Sequence, residues 1–410
     1  MNKLTDKKQI SALVTLCTAV YFVSYLTHLN FSVVLVEIMN AENIAKTALS
    51  LVVTWNAIAY GVGQPISGFL GDKLDPAKII FTGLTTTTIV NVLMPFASGS
   101  TSLMTVLWAI NGFAQAMMWP PMIKILISML SGKEYKKASV TVVTGSSVAT
   151  VLLYLIAPAF ITLSGWKSLF FFSALCGLMI TLAWLPSIRK IQKQADGLAE
   201  ESQTTNTFSQ EAPKEFTKPV VACLFVIMFA IILQGFLRDG VTTWMPSFIS
   251  ETYNTSSSTA ILSSVILPLF SVACFHIVSF INMKLIKNEL LCASIFFAVA
   301  AVSSTVLAFN INTGIAVAIG LNTLITGCMH GINLVLNTYV PVFFRKYGRV
   351  SLISGVLNAC TYVGTAIASP VIAITSEAYG WNVTVLTWSA VALCGVIACG
   401  ALVKPWKTIK

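Results

Sequence analysis

Two charged side chains lie inside a long hydrophobic stretch of the sequence. Arg238 and Asp239 are adjacent, and the stretch begins near Pro219, nineteen residues before the arginine. A helix rises ~1.5 Å per residue, so both residues would lie deep in the hydrocarbon of a membrane. A charge at the bilayer centre costs roughly 2.5 to 3.5 kcal/mol, so such residues face a protein interior or a wet cavity. We therefore expect Arg238 to hold an anion, with Asp239 as its counter-ion or as a proton carrier.

A competing interpretation is that Asp239 neutralises Arg238 and that the pair serves packing alone. Consecutive helix residues are rotated by ~100° about the axis, so the two side chains cannot both point directly into one cavity. The sequence leaves these alternatives open.

Other polar residues recur at helical spacing within hydrophobic segments, which is typical of helices that line water. His28 lies 210 residues before Arg238, at the matching position of an internal repeat described below. His28 and His330 have an alternative role as interior histidines that bond to neighbouring groups. The candidate substrate contacts are Arg238, His28, Tyr25, Gln234, Gln115, His330, Asn333, Asn358 and Tyr362, and the candidate proton carriers are Asp239 and His28.

The composition is that of a multi-span membrane protein, whose helices would position these residues. Of 410 residues, 56% are hydrophobic and 10% are charged, and the mean hydropathy of +0.82 excludes an ordinary soluble protein. Twelve apolar runs are long enough to be transmembrane helices. They lie near 10–38, 48–70, 78–98, 103–130, 138–160, 166–186, 219–250, 256–283, 289–309, 313–341, 350–374 and 381–403.

The basic residues predict the orientation of these helices. If the chain starts inside, 21 of the 25 Lys and Arg residues fall in cytoplasmic segments, which places both termini in the cytoplasm of a cell-membrane protein. The net charge of +10 follows this loop distribution rather than one basic face, so it does not indicate a nucleic-acid partner. Residues 188–218 form a polar, mixed-charge linker, which divides the chain into bundles at 1–187 and 219–410.

The two bundles repeat one another at a nearly constant offset. Ser139 and Pro158 match Ser351 and Pro370, each 212 residues later, and Gly165–Trp166 matches a Gly-Trp pair 215 residues later. Parallel repeats of this kind place a transporter's site at the seam between the halves. We expect an all-α membrane protein with twelve transmembrane helices in two pseudo-symmetric six-helix bundles.

Several classes of chemistry find no support in the sequence. The nine cysteines include no C-x-x-C pair and suit apolar packing, so we expect neither a metal nor a cofactor. No phosphate-binding loop of the ATPase type is present, because Gly132–Lys133 lacks its spacing. The protein is therefore expected not to be an enzyme and to draw its energy from gradients.

The segment Gly68-Phe-Leu-Gly71-Asp72-Lys73, between the second and third helices, resembles the loop motif of the major facilitator superfamily. In that family the glycine allows close helix packing, and the aspartate with a following cation locks helices at the cytoplasmic side. The resemblance implies a gating role for Gly68, Asp72 and Lys73, and it implies the fold predicted above.

Within the superfamily the chain is similar to the organophosphate:phosphate antiporters. The residues that carry this similarity are Asp72–Lys73 with Pro76, the run from Gln115 to Lys124 with Trp119-Pro120-Pro121, and Arg238 with Trp244 and Pro246. In that family an arginine on helix one and another on helix seven clamp a phosphate. The second arginine matches Arg238, but His28 occupies the position of the first, and a neutral histidine offers a single donor.

The resemblance implies alternating-access transport of a small organic anion in exchange for phosphate. Proton-coupled symport of an organic acid or sugar is the alternative, because His28, Asp239 and His330 are titratable. A drug exporter fits the polar stripes less well, and a non-transporting membrane receptor is a further alternative. The expected partners are an anionic small molecule and the lipid bilayer, and we expect a monomer.

Overall fold

The computed structural model describes residues 3–44, 46–202, 215–255, 266–311 and 314–410. Within these ranges the regular structure is helical and contains no strand, as the sequence predicts. The helices are α1 (Lys7–Val33), α2 (Leu35–Glu42), α3 (Lys46–Lys73), α4 (Pro76–Leu93), α5 (Thr101–Gln115), α6 (Trp119–Met129), α7 (Gly132–Ser164), α8 (Trp166–Ser202), α9 (Lys218–Tyr253), α10 (Ile266–Phe280), α11 (Glu289–Phe309), α12 (Ile315–Asn333) and α13 (Val350–Ile409).

Among the described residues, nine helical stretches are long and apolar enough to cross a membrane. One of them, α13, contains two of the expected spans, because its path turns at Gly380, where φ is 77°. The stretches do not include α3 or the pair α5 and α6, which supply the remaining two expected spans. Counted in this way, the helices agree with the twelve spans of the sequence analysis.

The residues at helix ends explain where several spans begin and stop. Asp75 caps α4 by accepting a hydrogen bond from the backbone N–H of Ala77, and Pro76 follows at the first helical position, where a missing N–H costs nothing. At the end of α7, Gly165 has a φ of 74°, and Gly380 has nearly the same conformation within α13. A tryptophan follows each of these glycines, so the repeat seen in the sequence recurs in backbone geometry.

The fourth expected span, 103–130, is interrupted in the structure. Helix α5 ends at Gln115, the turn at 116–118 makes short-range backbone bonds, and α6 begins at Trp119. Pro120 and Pro121 explain the break, since neither carries the N–H that would continue the α5 ladder.

The contacts between helices divide the chain into two units. One comprises Met1–Lys214 with Phe344–Gly355, and the other comprises Glu215–Phe343 with Val356–Lys410. Helix α8 continues to Ser202, so helix extends into the first part of the expected linker, and the rest of that linker up to residue 214 lies outside the described residues.

Each unit has its own packing. In the first, α1 packs against α7 and α8, and α3 packs against α5. Buried aromatic rings of Phe31, Trp108 and Phe170 form the centre of its core. In the second unit, α12 is the central helix and contacts α9, α10 and α11. The polar residues of α12 are thereby brought against those of α9.

Candidate functional site

Arg238 and Asp239 form an ion pair on α9. The Nε of Arg238 donates to Oδ1 of Asp239 at 2.6 Å, and its Nη2 donates to Oδ2 at 2.8 Å. The hydroxyl of Thr365, on α13, donates to the same Oδ2 at 2.6 Å. The carboxylate therefore accepts from two elements, and Asp239 is a local counter-ion of Arg238, which was one of the two roles expected for it.

The pair remains partly accessible. The Arg238 side chain is 16% exposed and that of Asp239 is 25% exposed. A charged pair whose side chains are not completely packed can exchange partners more readily than one sealed in apolar packing. An incoming anion at this position would compete with Asp239 for the guanidinium.

Polar side chains of α9 and α12 lie beside this pair. Gln234, one turn before Arg238, donates from Nε2 to the Met329 carbonyl at 3.1 Å and accepts a bond from Asn333 Nδ2 at 3.4 Å. His330 lies close enough to Arg238 and Asp239 for their charges to interact. The ring of His330 also meets Phe275 edge-on at 5.6 Å between centroids. Four expected site residues thus cluster with Asp239 within one unit.

Helix α13 contributes contacts to this cluster, and Asn358 lies on the same helix face as Thr365, two turns earlier. Asn358 and Tyr362 are half-buried, and Tyr362 engages in interactions of its own. The contacts come instead from Thr365, and from Thr361, whose Oγ1 accepts a bond from Asn337 at 3.0 Å. Sequence reasoning missed these two threonines, although their spacing of four residues places them on one helix face.

His28 and Tyr25 lie on α1 in the first unit. The His28 ring contacts that of Tyr60 at 5.5 Å between centroids. Its Nδ1 is buried and has no hydrogen-bond partner among the described residues. Tyr25 is half-buried and packs edge-on against Tyr21 at 5.2 Å. The interpretation of His28 as a fully satisfied interior histidine therefore does not fit its Nδ1.

Gln115 is placed differently from the other candidates. Its side chain is 4% exposed, and its Nε2 donates to the hydroxyls of Thr27 and Thr87 at 2.9 and 3.0 Å. Asn111 donates to the Thr27 carbonyl, and Asn91 bonds both that carbonyl and the Thr87 carbonyl. These amides and hydroxyls join α1, α4 and α5 in a buried network, so Gln115 serves packing rather than a water-filled cavity.

The gating motif is assembled around the first turn of α13. Asp72 accepts hydrogen bonds from the backbone N–H groups of Ser351 and Leu352, at 2.9 and 2.8 Å. An anion at a helix N-terminus is favoured by the unpaired N–H groups and by the helix dipole. At Gly68 a Cβ would collide with the Ser351 backbone, so the glycine is needed for the close approach. The structure thus gives Gly68 and Asp72 contacts that suit their expected roles.

The cation at this motif is Lys124 rather than Lys73. Lys73 is exposed and lies over the Phe69 ring, 4.2 Å from its centroid. Lys124, on α6, donates from Nζ to the carbonyls of Gly71 and Asp72 at 2.7 and 2.9 Å. It therefore caps the C-terminal end of α3, where a cation also suits the dipole. Lys124 can reach these carbonyls because α6 passes beside the end of α3, whereas the Lys73 ammonium lies over the Phe69 ring.

No group of three or more His, Cys, Asp or Glu residues that could hold a metal ion occurs in the part of the chain that the structure describes.

Curated proteins similar to this chain include a glycerol-3-phosphate transporter, a probable hexose phosphate transport protein and a membrane sensor. The chain is 30% identical over 246 residues to the glycerol-3-phosphate transporter of Bacillus subtilis (strain 168), covering 55% of this chain and 54% of the relative. It is 22% identical over 257 residues to a probable hexose phosphate transport protein of Chlamydia trachomatis serovar D, covering 58% and 56%. It is 24% identical over 282 residues to the membrane sensor protein UhpC of Escherichia coli (strain K12), covering 63% of each. The matches thus span between 54% and 63% of the length of these relatives.

Solved structures show the same fold at low identity. The transporter FucP in the outward conformation aligns with a TM-score of 0.71 at 14% identity, covering 95% of this chain and 98% of FucP. The human organic anion transporter MFSD10 aligns with a TM-score of 0.73 at 13% identity, covering 97% and 100%. Residues 17–355 match the family described as the Major Facilitator Superfamily. The three relatives named above are transporters or a membrane sensor, and none is an enzyme. The family match confirms the resemblance seen in the sequence. This multi-pass membrane protein belongs to the major facilitator superfamily.

Proposed function

We propose that the protein is a secondary transporter of a small organophosphate anion, with Arg238 as the principal ligand. The observation that carries this proposal is the polar cluster beside one partly exposed guanidinium on α9, with Gln234 one turn before it and Asn333 of α12 bonded to Gln234. Guanidinium groups bind phosphate oxygens through two parallel N–H bonds, and each charge-assisted bond is stronger than a neutral one. A phosphoryl dianion carries more charge than the Asp239 carboxylate and would compete with it.

Exchange against inorganic phosphate is the finer part of the proposal. The support comes from the similarity to a glycerol-3-phosphate transporter and to a probable hexose phosphate transport protein. His28, which stands at the repeat-equivalent position, is the sequence-based candidate for a second anion ligand, and its unpartnered Nδ1 is available for that role.

The test is counterflow in liposomes that contain the purified protein. Liposomes loaded with phosphate should take up labelled glycerol 3-phosphate without any proton gradient, and empty liposomes should not. Uptake by empty liposomes under an inward proton gradient, with no counterflow, would contradict phosphate exchange.

A proton-coupled symporter of an organic acid or sugar is the second candidate. The specific observation in its favour is the bidentate pair of Arg238 with Asp239, because protonation of the carboxylate would release the guanidinium for substrate. In Asp239→Asn, gradient-driven uptake should be lost while exchange is kept. If the variant still responds to the gradient in full, Asp239 is not the coupling group.

A membrane sensor is the third candidate, favoured by the similarity to UhpC. A sensor would bind glycerol 3-phosphate or a hexose phosphate without net flux, so measuring binding and flux on the same preparation separates it from a transporter.

The remaining expectations complete the proposal. We place the protein in the cell membrane as a monomer, with both termini in the cytoplasm. Labelling of single cysteines introduced at the exposed residues Lys133 and Lys407 by a membrane-impermeant reagent tests the orientation. Both sites should react only after the membrane is permeabilised.

A further inference from the structure

A groove of about 820 Å³ opens on the first unit between the start of α1 and the end of α8. It belongs to neither the Arg238 cluster nor the gating motif. Both helices are candidate membrane spans, and the groove brings the start of one beside the end of the other. The groove therefore lies at one membrane face, where lipid molecules are the natural neighbours.

The mouth of the groove is basic. Lys8 of α1 and Lys190 of α8 both line it, and both are exposed. Neither forms an ion pair with another residue in the described ranges. Asp6 also lines the mouth, but its carboxylate accepts the backbone N–H of Lys8 at 3.0 Å and caps α1. Two lysines against one capping carboxylate leave a site of net positive charge, which suits an anion.

The body of the groove is mainly apolar, with the hydroxyls of Ser11 and Thr15 also in its wall. Ala12, Leu16 and Ala19 continue along α1 from the mouth, and Ile191 faces them from α8. From Lys8 to Ala19 the helix advances ~16 Å at ~1.5 Å per residue, about half the thickness of the hydrocarbon. A cationic mouth above an apolar channel of this depth matches the anionic headgroup and upper acyl chain of a phospholipid.

One polar atom in the wall adds a preference for a hydrogen-bond donor. Gln9 lines the groove, and its side-chain Oε1 is buried without a partner among the described residues. A buried acceptor without a hydrogen bond is unfavourable, so a donor in the headgroup would be favoured there. The glycerol hydroxyls of phosphatidylglycerol provide one.

We propose that the groove between α1 and α8 is a binding site for one anionic phospholipid with hydroxyl donors in its headgroup, such as phosphatidylglycerol. The phosphodiester is held between Lys8 and Lys190, and the acyl chain lies along Ala12, Leu16 and Ala19.

The test is native mass spectrometry of the delipidated full-length protein titrated with phosphatidylglycerol or phosphatidylcholine. The wild type should retain one phosphatidylglycerol in preference to phosphatidylcholine. The double variant Lys8→Gln/Lys190→Gln should weaken this binding by roughly fivefold per lysine, or on the order of twentyfold in all.

The matched control is Lys133→Gln/Lys137→Gln, which removes the same charge from exposed positions at the start of α7 in the same unit. It should change the affinity by less than about twofold, because these lysines do not line the groove. Equal losses in both double variants would show diffuse attraction to anionic lipid and would overturn the proposal.

Three further arms identify the part of the lipid that is recognised. Ala12→Trp fills the apolar body and should abolish retention, whereas retention at wild-type strength would contradict an acyl chain in the groove. Free glycerol phosphate should not displace the lipid at millimolar concentration, and displacement would show that a small anion is the ligand instead. Gln9→Leu should reduce the preference for phosphatidylglycerol over phosphatidic acid, and an unchanged preference would exclude the proposed hydroxyl contact.

Discussion

The two units use their polar residues in different ways. In the first, amides and hydroxyls of α1, α4 and α5 bond one another around Gln115 and Thr27, and every member of this network is neutral and buried. In the second, the cluster on α9, α12 and α13 contains the charged pair Arg238 and Asp239, which remains partly exposed. The first arrangement is closed on itself, whereas the second can exchange a partner. The two units therefore differ: the polar network of the first joins helices to one another, whereas the cluster of the second contains a charged pair.

The largest expected effect tests the charged cluster directly. In Arg238→Gln the transport rate of glycerol 3-phosphate should fall by at least about a hundredfold, since two charge-assisted bonds of roughly 1.5–3 kcal/mol each are lost. Arg189→Gln is the control. It breaks the partly exposed pair with Asp75, and the rate should change by less than about twofold because such pairs contribute little. A loss of similar size in both variants would remove the distinction between the cluster and other ion pairs.

A matched pair of glutamine variants compares the two regions. Gln234→Leu should lower Tm, because Gln234 is buried and bonds Met329 and Asn333 of α12, and it should also lower transport by roughly tenfold, because it lies one turn from Arg238. Gln115→Leu should lower Tm, because interhelical bonds in membranes contribute ~0.6–1.7 kcal/mol each, and it should leave transport per folded molecule within about twofold. Liposome flux and a thermal unfolding scan measure both. Equal changes in flux and in Tm for the two variants would contradict this comparison.

The gating motif should show an intermediate effect. Asp72→Asn keeps the shape but removes the charge at the N-terminus of α13, which contributes ~0.3–2 kcal/mol, so the transport rate should change by about fivefold. Lys73→Gln should have almost no effect, because Lys73 lies over Phe69 and Lys124 caps the helix end. A larger effect of Lys73→Gln than of Asp72→Asn would contradict this assignment.

The smallest expected effect concerns His28. His28→Arg adds a fixed charge and a planar fork of donors at the repeat-equivalent position, so phosphate should bind about threefold more tightly. Isothermal titration of the purified protein with phosphate measures this change. Unchanged affinity would exclude His28 as an anion ligand.

The sequence predicts the architecture well because a membrane-spanning helix requires a long run of apolar residues, which can be read directly from the sequence. Runs of apolar residues and the Gly-Trp repeats indicate the spans, and the charge of Arg238 stands out against its hydrophobic neighbours. The break between α5 and α6 was also readable from Pro120 and Pro121, although the apolar run alone suggested one helix.

The sequence could not show which polar stripes face each other. Thr87 and Asn91 were not among the candidate site residues, and the structure places them in the network with Gln115. Thr365 was missed because a hydroxyl on a membrane helix can equally bond its own backbone, as Thr365 also does to the Thr361 carbonyl. Lys124 was hard to assign, because only the packing of α6 beside α3 brings its Nζ to the Gly71 carbonyl. Such choices depend on helix rotation, which spacing does not determine.

The central claim is that Arg238 is shared between Asp239 and the substrate anion, and equilibrium binding of glycerol 3-phosphate to Asp239→Asn tests it most directly. At pH 7.5 the variant should bind several-fold more tightly than the wild type, because its guanidinium no longer has a competing carboxylate, and Arg238→Gln should show no binding in parallel. Equal or weaker binding by Asp239→Asn would contradict the account.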